Sequence, residues 1–398
     1  MFEVPLAAPD YEDPWLLSFV ERAQRFRADT FRVAYLDQAP NSSTFRYRCF
    51  NVANLINEHV AGVSASWFWE SDGDRLYAIA KEADLVVVGR APYTERLAQF
   101  IGLARRFGAR IMFDVDDYVF DASMVPELMR TLDVPSEGVH GEKLVSWWFA
   151  YTSRLRHTAG LADEIVVTND YLAERATEVI GKPVRVIPNF MGTDQLAYSS
   201  QLVAAREASG PKRTDEIHLG YFSGTPTHNR DFALMAGALA RILEQDDRVR
   251  LRVVGFLEQG DELFEKVKDQ IELIPLTNYL DLQRLIAETE VNLAPLQNNR
   301  FTNCKSELKY FDAGIVGIPT LASPTFTMSR AIEQGVNGFI VRNHEWDEYL
   351  NRIVAEYDTT GRQLGAAALA HCAATYTPMA QVAAVVAALD LPQTATIS

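Results

Sequence analysis

Asn303-Cys304-Lys305-Ser306-Glu307-Leu308-Lys309-Tyr310-Phe311-Asp312-Ala313-Gly314, followed two residues later by Gly317-Ile318-Pro319-Thr320-Leu321-Ala322-Ser323, combines a helical pattern, a tight turn and a short apolar run. Leu308, Phe311 and Ile315 are spaced as a buried stripe. Lys305, Lys309 and Asp312, four and three apart, share another face. Lys305 to Asp312 spans about 10 Å at ~1.5 Å per residue. A diphosphate at the helix start and a ribose further along span a similar distance, and N-terminal amides favour an anion. The same spacing also fits an ordinary amphipathic helix with Lys309 and Asp312 paired on its surface.

The helix-then-strand unit recurs on both sides of this stretch. Apolar runs at Phe31–Leu36, Val63–Trp69, Asp84–Val88, Arg110–Phe113, Glu164–Val167 and Val184–Ile187 are each followed by a polar turn and a helical pattern. They restart at Glu216–Phe222, Arg250–Val254, Ile271–Ile274, Val291–Ala294, Pro319–Ala322 and Gly338–Val341. Runs rich in Val, Ile and Phe without clean alternation suit parallel strands covered on both faces. Two α/β domains, each a doubly wound sheet, are expected to face one another across a cleft. Residues 1–195 form the first domain, opened by a prelude with Trp15, Leu16, Phe19 and Val20 on one helical face. Residues 196–215, polar with Gly and Pro, read as the linker; 216–375 form the second domain; 376–398 are a C-terminal helix and tail crossing back to the first.

The 398 residues hold 38 Lys plus Arg against 53 Asp plus Glu, a net charge of −15. That balance argues against a protein that neutralises many nucleic-acid phosphates. Cys49, Cys304 and Cys372 lie far apart, excluding a disulfide scaffold or a zinc-ligand spacing. The seven histidines are scattered without metal spacing. The N-terminus lacks the basic and apolar regions of a signal peptide, and no run approaches the ~20 apolar residues of a membrane-spanning helix. The expected location is cytoplasmic.

Ligands of such sheets bind beyond the carboxyl ends of the strands. Four loops there carry candidates. Ser223-Gly224-Thr225, ahead of Arg230, is a small-residue loop opening a helix; it suits a diphosphate or, equally, a turn with a capping residue. Asn41 to Arg48 offers Ser43, Arg46 and Arg48 to the cleft, with at most one of the arginines pointing in. Asp114, Asp116, Asp117 and Tyr118 follow the fourth run. Three carboxylates so close need cations, a metal or a raised pKa, and one could take a proton from a hydroxyl. Trp147-Trp148-Phe149 with Tyr151 reads as core, the alternative being a face toward a lipid-linked acceptor or a membrane surface.

The segment Lys305–Ser323 resembles the donor-nucleotide segment of retaining, family-4-like GT-B glycosyltransferases. Ala162-Asp163-Glu164-Ile165-Val166-Val167-Thr168-Asn169, Val186-Ile187-Pro188-Asn189-Phe190, Glu290–Leu296 and Gly335–Val341 are similar to other family segments, in family order. The resemblance implies the GT-B fold. It also implies transfer of a hexose or deoxyhexose from a nucleotide-diphosphate sugar to a glycan or lipid-linked acceptor, in bacterial surface-polysaccharide assembly, without a metal or other cofactor. On it, Lys305, Ser306, Ser223, Gly224, Thr225 and Arg230 hold the diphosphate, Asp312 the ribose, and Ile274, Pro275 and Leu276 the base. Asn303, Cys304 and Glu307 face the donor sugar. Catalysis falls to Lys305 with Asp114, Asp116 and Asp117, and the acceptor lies by Ser43, Arg46, Arg48 and Tyr118, with peripheral contact at the inner membrane. The family's first acidic position falls on Cys304, which fits a non-catalytic nucleotide-sugar-binding or scaffold protein of this fold; a nucleotide-sugar epimerase of the same fold, using the same diphosphate site without an acceptor, is the other alternative.

Overall fold

The computed structural model describes all residues except 3, 42, 209–213, 225–228, 258–261 and 393–398. The apolar runs form twelve strands: β1 Phe31–Asp37, β2 Val63–Trp69, β3 Leu85–Gly89, β4 Arg110–Asp114, β5 Glu164–Val167, β6 Val184–Val186, β7 Ile217–Ser223, β8 Val249–Gly255, β9 Ile271–Ile274, β10 Val291–Ala294, β11 Thr320–Ala322 and β12 Gly338–Ile340. All pair in parallel, in two six-stranded sheets ordered β2-β1-β3-β4-β5-β6 and β12-β11-β10-β7-β8-β9.

Successive side chains on a strand point to opposite faces, so a buried parallel strand needs apolar residues at every position. In β3, Val86 and Val88 pack with Phe68, Phe100 and Phe113 on one face. Leu85 and Val87 pack with Trp67, Phe45 and Trp15 on the other. The second sheet is enclosed in one core that includes Leu219, Tyr221, Leu251, Val253 and Leu293. Strand order reverses between β1 and β3 and between β7 and β10. The carboxyl ends there are the places where a doubly wound sheet opens a crevice.

Several segments differ from the sequence-based expectation. Most of the stretch 196–215 is helical, within Thr193–Ala208, and Leu202 enters the second core. Its inward face consists of Gln195, Ser199 and Leu202, the first two polar, which hides the periodicity. In the prelude, Leu16 and Val20 are each 62% exposed while Trp15 is fully buried. The helix there is Phe19–Phe26, capped by Ser18 and turned so that Arg22, Ala23 and Phe26 face inward. Arg22 fits because its fork pairs with buried Asp72 at 2.7 Å and its guanidinium lies 3.8 Å from the Trp69 ring centroid. Phe2 packs in the second core rather than the first. The helix Pro378–Leu389 places Val385, Ala388 and Leu389 in the first domain's core beside Ile56 and Trp67. Among the described residues no single helix is long and apolar enough to cross a membrane.

Candidate functional site

A cavity of about 410 Å³ lies between the domains. The first domain lines it with Ser43, Thr44, Tyr47, Arg90, Asp116, Asp117, Val119, Leu132, Trp148, Tyr151 and Asn189. The second contributes Gly224, Leu296, Phe301, Lys305, Ser306, Leu308, Lys309 and Met328. Its polar side chains come mainly from the segments after β1, β3, β4, β6 and β10, at the carboxyl ends of the strands, where such sheets place a ligand. A more open hollow of about 580 Å³ lies between the helices Leu76–Glu82 and Glu95–Arg106. It includes the C-terminal end of the second of these helices, which leads to the amino end of β4, opposite the strand ends that form crevices.

The three carboxylates at the end of β4 and just beyond it are answered by three cations. Asp114 is buried and receives both Nε and Nη2 of Arg48 at 2.8 Å. Arg48 also donates to the Ile187 carbonyl and to Asn189 Oδ1. Asp116 accepts from Arg90 Nη1 at 2.8 Å and Thr44 Oγ1 at 2.9 Å. Asp117 lies 3.1 Å from Arg90 Nη1 and 3.3 Å from Lys305 Nζ. Burial alone would raise the Asp117 pKa, but Lys305 and Arg90 together outweigh it and hold the carboxyl below its ordinary value. Arg90 directly follows β3 with φ of 35°, a backbone conformation rare outside glycine, and so carries local strain where it bridges Asp116 and Asp117.

On the opposite wall the structure corrects the helix. It runs only from Leu308 to Gly314, and Lys305, with ψ of 149°, is extended and lies before it. The Lys305 carbonyl is taken by the Thr327 hydroxyl at 2.8 Å instead of by a helical amide. Lys305, Ser306 and Lys309 still reach one cavity. Lys309 donates to the Phe222 carbonyl, and burial pushes its amine down to about 8 against the pull of Asp231 and Asp312. Ser306 accepts from Asn189 Nδ2 at 2.9 Å, so Asn189 ties the segment ahead of the Leu308–Gly314 helix to Arg48.

Ser43, Asp116, Asp117, Gly224, Lys305 and Ser306 therefore line the cavity as the sequence suggested. Others do not. Asp114 and Arg48 neutralise one another below the surface, and neither oxygen of Asp114 is left for a substrate proton. Arg46 is buried, donating to Gln195 and to the Tyr47 hydroxyl between the Tyr47 and Tyr279 rings. Neither arginine of that loop enters the cleft. Asp312 accepts from Gln195 Nε2 at 2.8 Å and is approached by the Tyr47 hydroxyl at 3.4 Å, both across the domain boundary. Cys304 is fully buried; its thiol donates to the Arg300 carbonyl and its own carbonyl accepts from Asn169 Nδ2. Asn303 braces the turn, bonding Asn298, Asn299 and the Phe326 amide. Glu307 is partly buried, with burial raising its pKa and Tyr376 bonded to it.

Tyr118 is buried with its hydroxyl on Asp121. Arg230 pairs across the domains with Asp133 at 2.7 Å. Ser223 is buried at the end of β7, and Ile274, Pro275 and Leu276 lie outside the cavity, Leu276 being 52% exposed. Thr225 lies outside the described residues. Sequence reasoning missed Arg90, Thr44, Tyr47 and Asn189. The signal for Arg90 was its place right after an apolar run, beside carboxylates that needed a cation. The aromatic cluster is divided: Trp148 and Tyr151 are partly buried against the first domain's core, as expected, whereas Trp147 is 53% and Phe149 41% exposed.

Residues 217–358 match the family described as Glycosyl transferases group 1. No curated protein matches the chain. Solved structures similar to it include Anabaena Alr3699/HepE in complex with UDP and glucose, at 12% identity and TM-score 0.59, covering 90% of this chain and 99% of that one. Sucrose-phosphate synthase from Thermosynechococcus elongatus is similar at 12% identity and TM-score 0.58, over 88% and 96% of the two chains. WaaG, a glycosyltransferase involved in lipopolysaccharide biosynthesis, is similar at 14% identity and TM-score 0.60, over 89% and 99%. Two parallel six-stranded sheets enclosing a cleft give the chain the GT-B fold, and within it the second domain matches the family of group 1 glycosyl transferases.

Proposed function

We propose that the chain transfers a hexose or deoxyhexose from a nucleotide-diphosphate sugar to a glycan or lipid-linked acceptor, in the assembly of a surface polysaccharide. The observation that carries this reading is the convergence of Lys305 and Lys309 on one interdomain cavity, with Ser306 and Gly224 beside them. Among the described residues no carboxylate lies within ion-pair distance of the Lys309 amine, so its charge is available to a diphosphate. HepE, similar in fold, has been solved with UDP and with UDP-glucose, and WaaG, also similar, is involved in lipopolysaccharide biosynthesis; both support the reading by analogy.

The two lysines stabilise the charge that develops on the departing diphosphate. Lys305 leaves Asp117 for the phosphate, and Arg90 keeps Asp117 ionised afterwards. Asp116, held by Thr44 and Arg90, orients the attacking hydroxyl. We propose that the transfer needs no metal, because every carboxylate of the Asp114–Asp117 group already faces a side-chain cation, and that it is retaining, on the family resemblance alone. Asp312 takes the ribose once Tyr47 withdraws from it. Closure of the two domains excludes water, so that transfer outruns hydrolysis.

Thermal shifts with UDP, GDP, dTDP and their sugar conjugates test this. Ligand at 100 times its dissociation constant stabilises the native state by about 2.7 kcal/mol. A shift selective for one nucleotide is expected. Well-folded protein that shifts with none would refute donor binding and leave a non-catalytic member of the fold.

A further inference from the structure

The first half of the helix Gly138–Leu161 carries exposed apolar residues: Val139 is 76%, Trp147 53% and Phe149 41% exposed. The aromatic residues on it are ordered against one another. Trp147 stacks on Tyr151 with centroids 5.0 Å apart and planes 7° apart. Trp148 stands edge-on to both, at 83° and 84°. Trp148 and Tyr151 line the interdomain cavity, and the aromatic surface continues from there to the outside through Trp147 and Phe149. Arg90, Asp116 and Asp117 line the same cavity from the first domain.

We propose that Trp148 and Tyr151 form the acceptor subsite, stacking on a pyranose ring of a glycan acceptor, with Trp147 and Phe149 carrying the next sugar outward. The assignment rests on the donor reading of the same cleft. A pyranose has apolar C–H faces and a rim of hydroxyls. An aromatic wall bordered by Arg90, Asp116 and Asp117 matches both parts. The opposite wall holds Lys305 and Lys309, so a ring on Trp148 and Tyr151 would meet the donor between them. A lipid surface fits less well. The charged residues on the turns between Gly138 and Phe149 are Glu142 and Lys143, which cancel, whereas a membrane-facing helix gains its hold from an excess of Lys and Arg.

The test uses the full chain and saturation-transfer NMR with methyl α-glucopyranoside, methyl α-mannopyranoside, methyl α-rhamnopyranoside and maltose. Thermal shifts with UDP, GDP and dTDP run in parallel. Wild type should give ring-proton signal from at least one sugar. Trp148→Ala should lower that signal at least fivefold, Trp148→Phe should retain most of it, and the nucleotide shift should stay unchanged in both. Trp147→Ala, at an exposed position that cannot unfold the core, should weaken maltose more than the methyl glycosides. No signal from any sugar, or a signal indifferent to Trp148→Ala, overturns the subsite. Trp147-dependent sedimentation with phosphatidylglycerol vesicles in place of a sugar signal would assign the face to a membrane and also overturn it. Sugar signal without any nucleotide shift would instead sink the donor reading and leave the subsite standing.

Discussion

Binding of a nucleotide-diphosphate sugar should take up a proton, and Lys309 should be where it goes. Burial holds this amine at about 8 in the free protein. The sign follows from the depressed value: the free protein loses the Lys309 charge as pH rises through about 8, and an arriving diphosphate favours the charged form. At pH 8 about half of the amines are neutral, so binding takes up about 0.5 proton; at pH 7 the uptake falls to about 0.1. If the bound diphosphate restores the amine to near its ordinary ~10.4, affinity weakens about fourfold between pH 7 and pH 8.5, or ~0.8 kcal/mol. Titration calorimetry with UDP-glucose, or with whichever conjugate gives the largest thermal shift, in buffers of different ionisation enthalpy measures both quantities. Lys309→Met should abolish the uptake and weaken binding by about tenfold at pH 7, ~1.4 kcal/mol. Binding with no proton uptake at pH 8 in wild type, or with uptake that persists in Lys309→Met, refutes the placement of Lys309 against the diphosphate.

Lys305→Ala should cost at least about tenfold in donor affinity or turnover, ~1.4 kcal/mol, read from sugar-nucleotide consumption; an unchanged rate removes Lys305 from the site. Arg48→Met leaves the Asp114 carboxylate buried and unpaired, so denaturant unfolding should show a loss of about 3–5 kcal/mol; a neutral result would mean that the pair does not hold the loop after β4. Asp37 ends β1, and burial raises its carboxyl to about 7. Its folded value is above its unfolded one, so the ionised group's penalty is absent near pH 4, grows as pH rises and is complete above about 7. Asp37→Asn should therefore raise stability by on the order of 2–4 kcal/mol at pH 8 and change little at pH 4; equal effects at both pH values would refute the shift.

The sheets could be read from the chain because buried parallel strands leave unbroken runs of Val, Ile and Phe, and each such run became a strand within a residue or two of its expected bounds. Elements ruled by tertiary hydrogen bonds were harder to read. Lys305-Ser306-Glu307 has good helix formers, yet Thr327 takes the Lys305 carbonyl and Asn303 is spent on the Phe326 amide, so the helix starts late. The helix Thr193–Ala208 hides its inward face behind Gln195 and Ser199. At the site, the spacing of Asp114, Asp116 and Asp117 showed that cations were required, but not which carboxylate each would serve. Arg48 and Arg90 reach them from other loops, through contacts separated by 66 and 26 residues in sequence. Spacing also did not show that Asp312 would be engaged by Gln195 and Tyr47 from across the cleft.

The central claim is that the cavity between the domains is the donor-diphosphate site. A crystal structure of the full chain with the nucleotide sugar that gives the largest thermal shift tests it most directly. The account predicts the diphosphate within hydrogen-bond distance of Lys305 Nζ and Lys309 Nζ, with the ion pair between Lys305 and Asp117 broken. A nucleotide seated elsewhere, or one bound in the cleft while Lys305 stays on Asp117, would contradict it.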